Sequence, residues 1–156
     1  MSRLYETMVL IDNQVVREDW VKAKALITDT FAKHGAKVIT SRRWDERRLA
    51  YTIAGRRRAT FVLSYVEIDS EHTPALRRDF ELSERILRYL MLKVDKLPEC
   101  EVEKAQAELQ TDFVVPPPPA DDAPEPEPER APRERRGDDL DMIPVPDLND
   151  LSEEGN

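Results

Sequence analysis

One cysteine, four glycines and two histidines are spread through 156 residues, and each scarcity closes off a class of chemistry. Cys100 has no second cysteine to bridge to, so the chain forms no internal disulfide and no paired-cysteine metal motif, a usage that fits a reducing compartment. Glu99 and Glu101 flank it and disfavour its thiolate, which makes it a poor nucleophile. His34 and His72 stand too far apart in sequence to suggest a metal centre unaided. The glycines, at 35, 55, 137 and 155, build neither a phosphate-cradling G-x-x-x-x-G-K or G-x-G-x-x-G loop nor a G-x-S-x-G nucleophile elbow. No apolar run approaches the ~20 residues of a membrane span. Met1-Ser2-Arg3-Leu4 leads directly into a strand-like run with no cleavage-site pattern, so no signal peptide is expected. The expectation is a cytoplasmic protein that is not an enzyme and needs no cofactor or metal.

What is present is unevenly placed. Ten of the twelve prolines lie at or beyond Pro116. Residues 1–100 hold 19 Lys and Arg against 15 Asp and Glu, while 101–156 hold 5 against 17, so the overall charge of −8 belongs to the C-terminal third. Residues 1–98 are therefore expected to form the globular domain. Residues 99–115, which open rich in Ala, Glu, Lys and Gln, read as a helical linker. Residues 116–156 read as a disordered Pro/acidic tail, because they bury too little apolar area to offset their ordering entropy. Four arginines between Arg130 and Arg136 interrupt that acidity. An apolar islet from Leu140 to Leu151 reads as scattered apolar residues in the tail, with a short docking motif as the alternative.

Within the domain, Leu4 to Ile11 has the composition of a strand and Asp12-Asn13 that of its turn. Trp20, Ala23, Ile27 and Phe31 fall at helical spacing in a segment from about Arg17 to His34, and Gly35 suits the left-handed stop. Lys37 to Ile53 reads as a long second strand with a bulge or bend at Asp45-Glu46. Gly55 and three arginines make a turn, and Ala59 to Ile68 is a third strand. Thr73 can cap a second helix with Pro74 at its start and Leu76, Phe80 and Leu82 inward. Ile86 to Val94 is a fourth strand. The order β-α-β-β-α-β is the ferredoxin-like split β-α-β arrangement, a two-layer α+β sandwich of a four-stranded antiparallel sheet with two helices on one face.

Two features point to function. On the third strand Phe61, Leu63 and Tyr65 alternate with Val62, Ser64 and Val66, and the fourth strand is likewise apolar on both parities. Helices cover only one face of such a sheet, so the other would expose apolar side chains to a partner. The alternative is that the tail covers that face. The second feature is arginine: Arg42, Arg43, Arg47, Arg48, Arg56, Arg57 and Arg58, with Trp44 and Tyr51 among them. Guanidinium groups contact phosphate bidentately and stack on bases, and aromatic side chains platform the unstacked bases of RNA. A merely solvated basic face is the plainer reading of such a run. Asp45 and Glu46, being neighbours on a strand, point to opposite faces and do not form an acid pair. His34 and His72 read as structural, at a helix stop and in a surface turn.

The segment Arg47-Arg48-Leu49-Ala50-Tyr51-Thr52-Ile53 resembles the R-R-L-A-Y-P-I strand of the bacterial small-ribosomal-subunit protein six family. Tyr5-Glu6, His34-Gly35-Ala36-Lys37-Val38, Val66-Glu67 and the strand from Arg88 to Lys93 match at the same offsets, over roughly residues 3–96. Thr52, Glu46 and Ala59 depart from the proline and two glycines usual there. The resemblance implies a structural component of the small ribosomal subunit that binds small-subunit rRNA together with small-subunit protein eighteen. Carried onto this chain it implies Arg3, Arg47, Arg48, Arg88 and Lys93 as RNA contacts, and Tyr5, Phe61, Leu63 and Tyr65 as the partner face, with Tyr5 of uncertain parity. A ferredoxin-like small-molecule-binding regulatory module is the alternative, since the fold alone does not decide function. An acyl-phosphate hydrolase on this fold is disfavoured, because Asp12 lies where its anion would bind.

Overall fold

A computed structural model describes residues 1–110 and 114–124. The element order is β1 (Ser2–Asp12), α1 (Asn13–Glu18), α2 (Trp20–Lys33), β2 (Lys37–Ile53), β3 (Arg56–Asp69), α3 (Thr73–Leu82), β4 (Ile86–Lys93) and α4 (Glu99–Glu108). The four strands form one antiparallel sheet in the order β2-β3-β1-β4. This is the ferredoxin-like sandwich expected from the sequence.

The register assigns the faces. Tyr5, Val9 and Ile11 pair with Val66, Val62 and Thr60, and Val9, Ile11, Val62 and Val66 are buried in one cluster with Ile27 and Phe31 of α2 and Leu76 and Phe80 of α3. Phe31 meets Phe80 edge to face, ring centroids 5.5 Å apart, the geometry that ring quadrupoles favour. Residues of the other parity, Glu6, Met8 and Leu10 on β1, pair with Tyr65, Leu63 and Phe61 on β3 and with Leu92, Leu90 and Arg88 on β4. They make the face turned away from α2 and α3.

Several local details differ from expectation. The helix expected from Arg17 to His34 is two helices, broken at Asp19. That residue is extended (φ −167°, ψ 113°) and its carboxylate accepts from the backbone N–H of Val21 at 2.9 Å and Lys22 at 3.3 Å, so a capping aspartate starts a new helix inside the periodic stretch. In β2 the register shifts fall between Val38 and Thr40, between Arg43 and Asp45, and between Arg48 and Ile53, so one bulge ends at the Asp45 of the expected Asp45-Glu46 irregularity. His72, not Thr73, precedes α3, and the Thr73 hydroxyl donates to Ser70 O. Leu82 is 69% exposed. Two residues beyond Phe80 on a helix is a turn of about 200°, which carries Leu82 to the solvent side. The β2–β3 hairpin closes through Ala54 (φ 48°) and Gly55 (φ 76°) between the paired Ile53 and Arg56. Two successive positive φ values are those of the turn whose twist matches paired strands.

After β4 the chain continues as a strand for one bond, Val94 N–H to Leu4 O, and then enters α4. The disordered-tail reading falls from residue 125 onward outside the described residues, as does the Leu140–Leu151 islet. Residues 114–124 are described: Arg17 Nε donates to Pro118 O at 3.1 Å, and Arg57 N–H to the Asp121 carboxylate at 3.0 Å.

Candidate functional site

The seven clustered arginines do not share one environment. Arg42 is only 9% exposed and sends Nε and Nη2 to the two oxygens of Glu101 at 2.6 and 2.9 Å. Arg58 is buried on the helix-covered side, where Nε and Nη2 donate to Glu46 at 2.8 and 3.0 Å. Glu46 also accepts from Asn13 Nδ2, and Asn13 in turn accepts from the Thr60 hydroxyl. Arg56 lies 3.0 Å from Asp12. These three are held by carboxylates of the fold. Arg43 is half-buried, and its backbone N–H donates to Glu108. Arg47, Arg48 and Arg57 are exposed.

Of the cations expected to meet RNA, all five are exposed, but they form two groups. Arg47 and Arg88 lie on the face turned away from α2 and α3, Arg47 opposite Ala59 and Arg88 opposite Leu10, while Arg48, next in the chain, pairs opposite Arg58 and has the other parity. Arg47 Nε donates to Asp45 at 2.7 Å and its guanidinium lies 4.6 Å from the Trp44 ring centroid. Burial opposes ionisation of Asp45, but the Arg47 bond and the Glu46 N–H hold its carboxyl below the ordinary value. Arg88 donates to the Tyr51 hydroxyl across the sheet. Arg3 and Lys93 sit near the other end of β1, Lys93 opposite Tyr5. The seven residue steps from Arg3 to Leu10 span roughly 24 Å of strand, so one small contact does not join the two groups.

The residues expected to form the partner face are also divided. Tyr5 points the other way and belongs to the core, because odd positions of β1 carry the helix-facing parity. Phe61 is half-buried on the outer face beside Trp44, rings 5.9 Å apart. Leu63 and Tyr65 are on that face too, yet only 6% and 3% exposed. Arg42, the cross-strand neighbour of Leu63, is bound by Glu101, so α4 lies over this part of the sheet. Burial, then the bond to Glu6, raises the Tyr65 hydroxyl pKa. What stays in water on this face is Leu90 and Leu92, 55% and 48% exposed.

The sequence reading overlooked α4 as part of the site. Its inward stripe is Glu101, Ala105 and Glu108, spaced four and three apart as a helix face requires. Two of the three are acidic, and that spacing was the available signal. Glu108 also receives Lys24 of α2 at 2.8 Å, so α4 grips both β2 and α2.

Residues 4–93 match the family of ribosomal protein S6. The chain belongs to the ribosomal protein S6 family. Membership makes it a structural, non-enzymatic protein of the small ribosomal subunit. It is similar to small ribosomal subunit protein bS6 of Rhodopirellula baltica, 35% identical over 92 residues that cover 58% of this chain and 65% of that one. The bS6 protein of Syntrophobacter fumaroxidans is 31% identical over 104 residues, 67% of this chain and 71% of that one. The fold resembles the crystal structure of 30S ribosomal protein S6 from Thermotoga maritima, with a TM-score of 0.51 and 19% identity, covering 69% of this chain and 97% of that one. Against the S6 family match, α4 and residues 114–124 lie wholly beyond the matched segment. Glu101 and Glu108 thus lie outside that segment and bind Arg42 and Lys24 within it. No helix among the described residues is long and apolar enough to cross a membrane.

Proposed function

We propose that the protein binds small-subunit rRNA together with small-subunit protein eighteen, in the cytoplasm, as the S6-family match and the surface both suggest. The observation that carries this reading is β4. On its outward parity, Arg88, Leu90 and Leu92 follow one another, all exposed. A cation beside two leucines in water suits a site shared between a phosphate backbone and an apolar protein surface. Arg47 extends the cationic side. Because α4 covers Leu63 and Tyr65, the partner is assigned to Leu90, Leu92 and the half-buried Met8 beside them, with Phe61 at the border. Arg3 and Lys93 would serve a second, separate RNA contact.

The test is filter binding of a small-subunit rRNA fragment to the full chain, with and without protein eighteen. Binding should be tighter with the partner. Leu90→Asp with Leu92→Asp should remove that gain while leaving the melting temperature nearly unchanged, since both side chains are already solvated. Arg88→Ala should lower the salt slope by about one. Equal affinity with and without the partner would overturn the shared-site reading.

A further inference from the structure

Trp44 occupies a position the strand pairing does not call for. Arg43 pairs with Val62 and Asp45 with Phe61, so Trp44 is the extra residue of a bulge in β2. A bulge re-aims the side chain it carries. Here it lays the indole against Phe61 on the outer face and leaves it 39% exposed. The other tryptophan, Trp20, packs against the core.

Arg47 completes the arrangement. Its guanidinium lies over the indole, 4.6 Å from the ring centroid, and Asp45 holds Nε at 2.7 Å, while the side chain stays 58% exposed. The plane is therefore fixed in orientation from two directions and still open to solvent. An exposed cation–π pair by itself contributes only about 0.5–1 kcal/mol, a small return for leaving a tryptophan in water. The same construction recurs nearby: Arg88 lies 5.3 Å from the exposed ring of Tyr51. The two pairs are joined across the sheet through Leu10 and Phe61. Arg57 is exposed on the adjoining strand, and among the described residues its side chain is in no ion pair; Arg48 pairs opposite Arg58 and so has the other parity.

We propose that Trp44 and Arg47 form a stacking platform for an unpaired nucleobase of single-stranded RNA, with Tyr51 and Arg88 as a second platform along the same face. The inference rests on the RNA-binding reading above and adds to it the form of RNA and the residues that read it. A base lies flat on the guanidinium, the indole backs it, and the Nη groups that Asp45 does not use face the phosphates. Every base has such a face, so the platform discriminates single strands from duplex rather than one sequence from another. A protein surface would match a patch of leucines, as at Leu90 and Leu92. Two oriented guanidinium–aromatic pairs with the exposed Arg57 nearby match a polyanion of planar rings.

The experiment uses the full chain carrying Trp20→Phe, so that Trp44 is the sole tryptophan, titrated at low salt with an oligoadenylate and with a blunt RNA duplex of equal length. The single strand should quench Trp44 emission as it binds. Trp44→Leu should weaken single-strand binding about tenfold and leave duplex binding unchanged, and Trp44→Phe should restore most of the loss. Arg47→Lys, which keeps the charge but not the plane, should behave like Trp44→Leu. Circular dichroism of each variant checks the fold. Tight single-strand binding with Trp44 emission unchanged overturns the platform and leaves the RNA reading standing, as does an equal loss on both RNAs. No binding of either RNA by the parent chain overturns both.

Discussion

Arg58 and Arg47 sit close together on the β2–β3 hairpin and do opposite work. Arg58 and Glu46 are nearly solvent-free as side chains, 6% and 7% exposed, whereas Arg47 and Asp45 are 58% and 44% exposed. Removing Glu46 leaves the buried Arg58 cation and the Asn13 amide without the carboxylate that receives them. Loss of one partner from a buried pair typically costs about 3–5 kcal/mol. An exposed pair such as Arg47–Asp45 is worth at most about 1 kcal/mol. Urea unfolding should therefore show Glu46→Ala severely destabilised and Arg47→Ala within about 1 kcal/mol of the parent. Comparable losses for the two would show that the Glu46 network is hydrated in solution. The same contrast explains why Glu46, an acid next to Arg47 in the chain, does not neutralise it: Glu46 pairs opposite Thr60 and turns its charge to the other face.

At the scale of an element, α4 is held by charge where α2 and α3 are held by apolar burial. Its inner stripe contributes one alanine between two glutamates, so the Arg42–Glu101 and Lys24–Glu108 pairs carry the docking. The bond from Arg42, set against burial, holds the Glu101 carboxyl below its ordinary value of 4.5. A carboxyl depressed by folding stabilises above its unfolded pKa, and that stability fades as pH falls through the lower folded value. Docking of α4 should therefore be complete at neutral pH and weaken progressively below about pH 4. Hydrogen-exchange protection of residues 99–108, corrected for intrinsic rates, should fall in that window while β1 and β3 remain protected. Glu101→Gln should abolish most of this pH dependence. Protection that stays level down to the acid unfolding of the sheet would show that apolar contact, not the ion pair, seats the helix.

The whole molecule places a net-basic sheet on the same chain as a strongly acidic extension. Residues 125–156 carry eleven acids and four arginines. A tethered polyanion of this kind is expected to compete with RNA for the arginines at low ionic strength, and screening should weaken the competition as the Debye length shortens from ~30 Å at 0.01 M salt to ~8 Å at physiological strength. A chain ending at residue 124 should keep its thermal stability, since among the described residues the core cluster ends at Met91. It should bind nonspecific RNA more tightly than the full chain at low salt and equally at high salt. Coincident binding curves across that range would mean that the acidic segment never approaches the arginines.

Local patterns determined much of this from the sequence alone. The spacing of Ala23, Ile27 and Phe31 makes α2, the left-handed Gly35 ends it, and the strand–helix order makes the ferredoxin-like sandwich, because propensity and periodicity act over a few residues. The Arg47-to-Ile53 segment placed the chain beside its family for the same reason: it is contiguous. Tertiary structure alone decided what each face meets. Tyr5 and Phe61 are both aromatic strand residues, and only the pairing register puts one in the core and the other outside. Both parities of β3 are apolar, so no alternation announced which side α2 and α3 would take. Arg42 and Arg47 lie in the same basic run, yet one is buried by a glutamate 59 residues away and the other stays in solvent. A charge pair formed by chain segments so distant leaves no local period to read; it exists only once α4 has folded back across the sheet.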